Sequence, residues 1–228
     1  MGPNFFDPSV FEWTNRFVER FDEVRAEVHD QFSFIRNPLY PSYTEAIEGV
    51  KPKRPSWLGR TLVFFTIRNN TILQSMPATA ALLDEVPGLV TASLSRLDGN
   101  THIKAHGGYT PEVLRCHFGV IVPEPEACVL KVGDEERHWT ERGWLVFDDY
   151  IWHEVWHRGT QSRTVLLIDV VRPGVDLSAQ QIALRFFADG PIRNPLDPPP
   201  GYRYDQDLES VAPRSRWRDW VHSGRFED

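Results

Sequence analysis

Cysteine is scarce in this 228-residue chain: Cys116 and Cys128 are the only two, with no CxxC pair and no even set of four or more. A disulfide-framed module is thereby excluded, and a reduced, cytoplasmic setting is the simplest expectation. Basic charge is also short. Lys and Arg number 25 against 32 Asp and Glu, for a formal charge of −7 and a pI near 5.6, so no nucleic-acid partner is expected, because such binding rests on neutralising phosphates. No apolar run approaches the roughly 20 residues that span a bilayer; stretches such as Thr164 to Val171 are far shorter. The opening Met1-Gly2-Pro3-Asn4-Phe5-Phe6 has no cationic start followed by an apolar run, and Phe6 stands where an acylation signal has Ser or Thr. A soluble protein without a membrane partner is expected. Internal repeats and a βαβ rhythm are missing as well.

What is there is a core-forming composition. Hydrophobic residues make up 41%, with eight Trp and fourteen Phe, which excludes a disordered chain, and 26.3 kDa suits one domain. From Pro8 to His29 the residues Val10, Phe11, Trp13, Phe17, Val18, Phe21, Val24 and Val28 recur at helical spacing, with Asp7 as N-cap and Pro8 at the first helical position. Residues 31–60 carry Pro38, Pro41, Pro52 and Pro55 and read as an irregular wrapping segment able to offer substrate contacts. Leu62 to Ile67 reads as a strand and Pro77 to Leu83 as a short helix closing at Pro87-Gly88. Eight short strands follow: Thr91 to Leu97, His102 to His106, Val113 to Val122, Cys128 to Val132, Arg137 to Trp139, Trp144 to Phe147, His153 to His157 and Arg163 to Val171. Their spacing, with turns at Asp98-Gly99-Asn100, Gly133-Asp134 and Arg142-Gly143, suggests a sandwich or jelly roll. A helix is expected over Leu177 to Ala188, an extended stretch over Asn194 to Tyr204, and the Trp217 to Trp220 stretch either docks or stays mobile. One catalytic domain over 1–228 is the reading: helix and wrapping segment in 1–60, β core in 61–173, helix and tail in 174–228.

Chemistry concentrates in a few residues. His106 and His153 lie 47 apart, and Arg163 follows ten after the second. Neutral imidazoles suit a mononuclear iron centre with open positions, and a guanidinium suits the distal carboxylate of 2-oxoglutarate. The common facial triad has Asp or Glu two residues after the first histidine; here that position is Gly108. Each histidine alone also fits an ordinary buried imidazole, and Arg163 a solvent-facing strand end. Asp148-Asp149 offers carboxylates behind a ligating histidine or a plain charged turn. Arg115 and His117, two apart on one strand, share a face, either an inward polar one or an outward one.

Taken together, Ser95-Arg96-Leu97-Asp98-Gly99, His106-Gly107-Gly108, Arg115-Cys116-His117-Phe118-Gly119 and Phe147 through Trp156 to Arg163 and Asp169-Val170 resemble the aspartyl/asparaginyl β-hydroxylase family of iron(II)- and 2-oxoglutarate-dependent oxygenases. The resemblance spans roughly residues 77–173. It implies a mainly β fold with flanking helices around a double-stranded β-helix (jelly-roll, cupin-like) oxygenase core. It implies Fe(II) on His106 and His153 with a glycine in place of the third ligand, and 2-oxoglutarate and O2 as co-substrates. Arg163 and Ser95 would hold the distal carboxylate, with Arg115 and His117 around the C1 end or the adjoining polar network. Peptide-modifying members grip the substrate aspartate with a second arginine where this chain has Val113, so Arg96, Lys104 or Arg158 would have to supply that charge. The chain also looks like a free-standing, microbial-type catalytic domain.

The reaction so implied oxidises an unactivated carbon, the β-carbon of an aspartyl, asparaginyl or related amino-acid-like substrate, with release of succinate and CO2. The substrate is free, carrier-bound or peptidyl. Two rival readings remain: a halogenase with halide in the place vacated at Gly108, and a cupin-like binding protein without catalysis.

Overall fold

In a computed structural model of the protein, the structure describes residues 2–32, 35, 37–38, 44–47 and 57–189. In chain order the elements are β1 (Phe5–Phe6), α1 (Trp13–Glu19), α2 (Phe21–Gln31), β2 (Asn37–Pro38), β3 (Thr44–Ala46), β4 (Trp57–Phe64), β5 (Ile67–Arg68), α3 (Asn70–Gln74) and α4 (Pro77–Asp84). They continue with β6 (Leu89–Leu97), β7 (Thr101–His106), β8 (Val113–Ile121), β9 (Cys128–Val132), β10 (Glu135–His138), β11 (Trp144–Phe147), β12 (His153–His157), β13 (Arg163–Val171) and α5 (Ala179–Asp189). Two antiparallel sheets form a jelly roll. The larger runs β1-β11-β8-β13-β6-β4-β2 with β5 beside β4, and the smaller runs β10-β9-β12-β7-β3.

Strand alternation sets the layers. On β13, Thr164, Leu166, Ile168 and Val170 share one face; Leu166, Ile168 and Val170 pack with Leu94, Phe118, Phe17, Val24 and Leu82 in the cluster under the helices. Arg163, Val165, Leu167 and Asp169 share the other face, which looks at the smaller sheet. Apolar residues between the sheets (Leu97, Ile103, Leu130, Val155, Val165) fill one part of the barrel and leave the rest to polar groups. The helical layer is pinned by Glu27 of α2, whose carboxylate accepts from the backbone N–H of Ala78 (2.7 Å) and Thr79 (2.8 Å). This anion sits at the N-terminal end of α4, where the helix leaves its N–H groups unpaired.

Several expectations shift. The single helix expected over residues 8–29 is a 3-10 turn, Pro8–Val10, capped by Asp7, followed by two α-helices broken at Arg20 (φ −101°, ψ 24°). The break lets Trp13 and Phe17 meet Trp144 edge-on while α2 sets Phe21 against Phe118. The described parts of the wrapping segment are not wholly irregular: β2 and β3 extend opposite sheets, and β4 begins at Trp57. The β layers therefore draw on residues before position 61, including β1 on β11. The β4–β5 turn places Phe65 and Thr66 at positive φ (45° and 68°), a costly conformation for both. Burial of Phe65 against Phe186 (3.7 Å, stacked) and Tyr109 (5.0 Å) offsets that strain. The expected stretches Asn194 to Tyr204 and Trp217 to Trp220 lie outside the described residues.

Candidate active site

His106 and His153 face each other in register on β7 and β12, ring centroids 4.2 Å apart. Plain alternation would place His106 on the same face as His102, which is stacked outside the barrel on Trp156. An irregularity prevents that: β7 advances three residues from Ile103 to His106 while β12 covers only two between Val155 and His153. The extra residue is a β-bulge, a device that re-aims side chains. Both rings are locked in one tautomer. Nδ1 of His106 donates to Lys104 O (2.8 Å) and Nδ1 of His153 to Ile151 O (2.9 Å), so each Nε2 keeps a lone pair. Burial pushes the two imidazoles down to about 3 and about 4, and both are neutral near pH 7.

Asp149, fully buried, closes the other side. Its Oδ1 lies 3.2 Å from His153 Nε2 and 2.6 Å from Arg115 Nη1. A lone pair 3.2 Å from a carboxylate oxygen requires a proton or a metal ion to offset the repulsion. Its Oδ2 is buried with no hydrogen-bond partner. The backbone N–H of Gly108 donates to Asp149 O (2.6 Å), and a Cβ built on Gly108 would overlap the Asp149 carboxylate. The side-chain space at position 108 is thus filled by a carboxylate from elsewhere in the chain. Burial raises the Asp149 pKa against the pull of Arg115. Asp148 behaves as the turn residue: it accepts from Tyr150 N (3.1 Å) and pairs with Arg172 (2.7 Å). Arg115 also bonds both oxygens of Asp169 (2.8 and 2.9 Å), and these carboxylates hold its pKa well above its usual value against the cost of burial. It belongs to a closed polar network.

Arg163 is in the opposite condition. It is 2% exposed, its Nε and Nη1 have no partner, and no carboxylate among the described residues pairs with it; burial lowers its pKa. Its guanidinium lies over the Trp139 ring (4.4 Å) and against the Cys128 thiol. His117 accepts from Trp139 Nε1 (3.3 Å) at Nδ1, while its Nε2 is buried without a partner. Ser95, opposite Val165 and hence beside Arg163 in the sheet, accepts from Trp57 Nε1 (3.1 Å), which leaves its own hydroxyl hydrogen to donate. These buried donors lack acceptors, and an anion supplies what they need. So the interior gathers His106, His153, Arg115, His117, Ser95 and Arg163, with Arg115 spent on carboxylates. Sequence reasoning left Asp148 and Asp149 undivided between a carboxylate behind a histidine and a charged turn, and the structure gives the first place to Asp149 and the second to Asp148; it missed Trp139 and Trp57. Asp149 precedes His153 by four, a signal that alone does not separate it from Asp148. Arg96, one of the charges considered for substrate, is bound to Asp98 (3.0 Å) and Phe32 O (3.4 Å), and Arg158 lies over Trp156 on the outer face.

Among the described residues, no three His, Cys, Asp or Glu side chains are grouped so as to hold a metal ion; the histidine pair is the ligand set on offer. Fold and site together define a double-stranded β-helix protein with an inward-facing histidine pair, a carboxylate beside it and buried donors without acceptors behind it. The aspartyl/asparaginyl beta-hydroxylase family profile matches residues 19–173, and the chain belongs to that family. An ornithine lipid ester-linked acyl 2-hydroxylase of Rhizobium tropici is 31% identical over 174 residues, covering 75% of this chain and 61% of that protein. The human aspartyl/asparaginyl beta-hydroxylase is 32% identical over 121 residues, 50% of this chain and 15% of that one. The chain therefore spans under two thirds of either relative's length. Among solved structures, AviO1 from Streptomyces viridochromogenes Tue57 superposes with a TM-score of 0.44 at 10% identity, over 75% of this chain and 98% of that one. A cupin superfamily protein from Desulfitobacterium hafniense DCB-2 gives 0.32 at 10%, over 54% and 84%. Likenesses this loose carry no argument about chemistry.

Proposed function

We propose that the chain is an iron(II)- and 2-oxoglutarate-dependent hydroxylase. The observation that carries the reading is the pairing of two neutral histidines, each with its Nδ1 tied to a backbone carbonyl and its Nε2 lone pair left for a metal, with a buried guanidinium that has no carboxylate among the described residues. His106 and His153 would hold the metal, and Arg163, Ser95 and His117 the co-substrate. When bound, the metal with 2-oxoglutarate and O2 supplies the oxidising power to replace C–H by C–OH, with succinate and CO2 released. The chain's own work is positional. Lys104 O and Ile151 O fix the imidazole tautomers. Arg115, itself held by Asp169, aims the Asp149 carboxylate at His153. A halide in the place left by Gly108 would lie against the Asp149 carboxylate, so charge repulsion disfavours halogenation.

For the substrate, one observation favours an acyl-bearing molecule over peptidyl aspartate. Val113, where peptide-modifying members would have the second arginine, is fully buried among Phe65, Val90, Tyr109, Ile182 and Phe186. A substrate carboxylate finds no counter-charge at that position. The relative named for hydroxylating the 2-position of a lipid acyl chain supports that reading. The test is succinate release with iron and ascorbate across free amino acids, peptides, carrier-bound aminoacyl groups and amino-acid-headgroup lipids, with product mass. A product 16 Da heavier from a lipid supports the acyl reading. No succinate from any candidate, and no metal-to-ligand charge-transfer band under nitrogen, would leave a binding protein as the answer.

A further inference from the structure

We infer that Trp139, distant in sequence from all the donors, is the positioning residue that converts Arg163 and His117 into one carboxylate-binding array. The inference rests on the co-substrate reading above and names how that site is held. Trp139 is 1% exposed and follows β10 in the loop leading to β11. It touches both donors at once, by different means. Its ring lies under the guanidinium at 4.4 Å, and its Nε1–H meets His117 Nδ1 at 3.3 Å with the two rings within 20° of parallel.

The indole N–H donates only. His117 Nδ1 must therefore accept, and the ring's single proton sits on Nε2, the buried atom without a partner. With the other tautomer, Nε2 would present a lone pair to an incoming carboxylate and repel it. The same indole face stabilises a buried cation that lacks a counter-ion, so Arg163 keeps its charge and its place before the ligand arrives. Burial, and next the nearby Arg163, hold His117 neutral, which makes its tautomer the quantity that matters. One side chain thus orients a charged donor by its π face and a neutral donor by its edge.

Two readouts on metal-free protein test this, neither of them turnover. Nitrogen-15 NMR of histidine-labelled wild type should show His117 with Nδ1 bare and Nε2 protonated. Glutarate, a five-carbon dicarboxylate without the keto group, should bind, with Trp139→Phe weakening it about tenfold and mixing the His117 tautomers while the His106 and His153 signals stay put. In the loaded enzyme the same variant should raise the KM for 2-oxoglutarate and leave kcat near wild type. An Nδ1-protonated His117 in wild type overturns the inference with no variant needed. Unchanged glutarate affinity in a folded Trp139→Phe protein overturns it as well. Wild type that binds neither glutarate nor 2-oxoglutarate overturns the co-substrate reading and the inference's ligand together, while a tautomer found as expected would show the Trp139–His117 contact intact.

Discussion

Arg115 and Arg163 lie in the same barrel interior, both nearly sealed from water, yet their surroundings are opposites. Arg115 makes bonds to Asp149 and to both oxygens of Asp169, and its charge is neutralised within the fold. Arg163 has an aromatic ring and a thiol for company, and two of its nitrogens have no acceptor. A paired buried arginine organises the protein. An unpaired one costs stability until an anion arrives, and such a cost persists where binding uses it. The histidine pair is tied to the paired end through Asp149.

The sharpest break of this contrast is Arg115→Met, which strands two buried carboxylates. It should destabilise the protein by about 3–5 kcal/mol, read by chemical denaturation, and lower iron affinity with it. Arg163→Met should do the reverse to the fold: ligand-free stability equal to or above wild type, with 2-oxoglutarate binding lost. If both variants lose stability alike, the two arginines are not different in kind. Arg163→Lys sharpens the point, since an ammonium cannot reproduce the guanidinium fork. Its expected cost is about 1.5–3 kcal/mol in 2-oxoglutarate affinity, titrated by succinate release, with iron affinity unchanged.

Acid probes the same interior. His106 and His153 have folded pKa values depressed below the unfolded value, so the unfolded chain binds more protons as pH falls through about 6.5, and the stability of the metal-free protein drops. The buried, depressed His117 adds to this; the raised Asp149 and His102 oppose it. A net loss on the order of 1–2 kcal/mol between pH 7 and 5.5 is expected, measured by urea midpoints; a midpoint that climbs toward pH 5.5 would mean the histidines are not buried as neutral rings. Smallest in size is Gly108→Ala. Its methyl must push Asp149 off Arg115, and iron affinity should fall about tenfold, with His106→Ala or His153→Ala as the reference for complete loss of turnover. An alanine variant with wild-type iron binding would show the carboxylate to be idle.

Much of this was written in the chain's own periodicity. The strands β9, β11, β12 and β13 stand where apolar runs and turn residues put them: β12 alternates buried and half-buried positions, while β13 is a short continuous apolar run sealed on both faces, and turn residues bound each of them. His106, His153 and Arg163 were legible as a set by their spacing, and Arg115 and His117 as neighbours on one face. The break between α1 and α2 is invisible to periodicity because the apolar spacing runs through Arg20 without interruption, while the partners that turn the chain there, Trp144 and Phe118, come from strands roughly a hundred residues on.

Sequence by itself determined the run of strands from β6 to β13, which face each residue takes by plain alternation, and the presence of two histidines and an arginine at this spacing, but not β1, β2, β3 or β5, which are too short for alternation to reveal. Only the tertiary structure decided that His106 turns inward, since a one-residue bulge reverses the parity that alternation assigns. It alone decided that Asp149 fills the space beside Gly108, that Arg115 is neutralised while Arg163 is not, and that Trp139 serves both donors. Local rules read backbone geometry along one strand. Charge balance, tautomer and vacancy depend on atoms brought within a few ångströms from strands far apart in the chain, and a sequence carries those distances only through its fold.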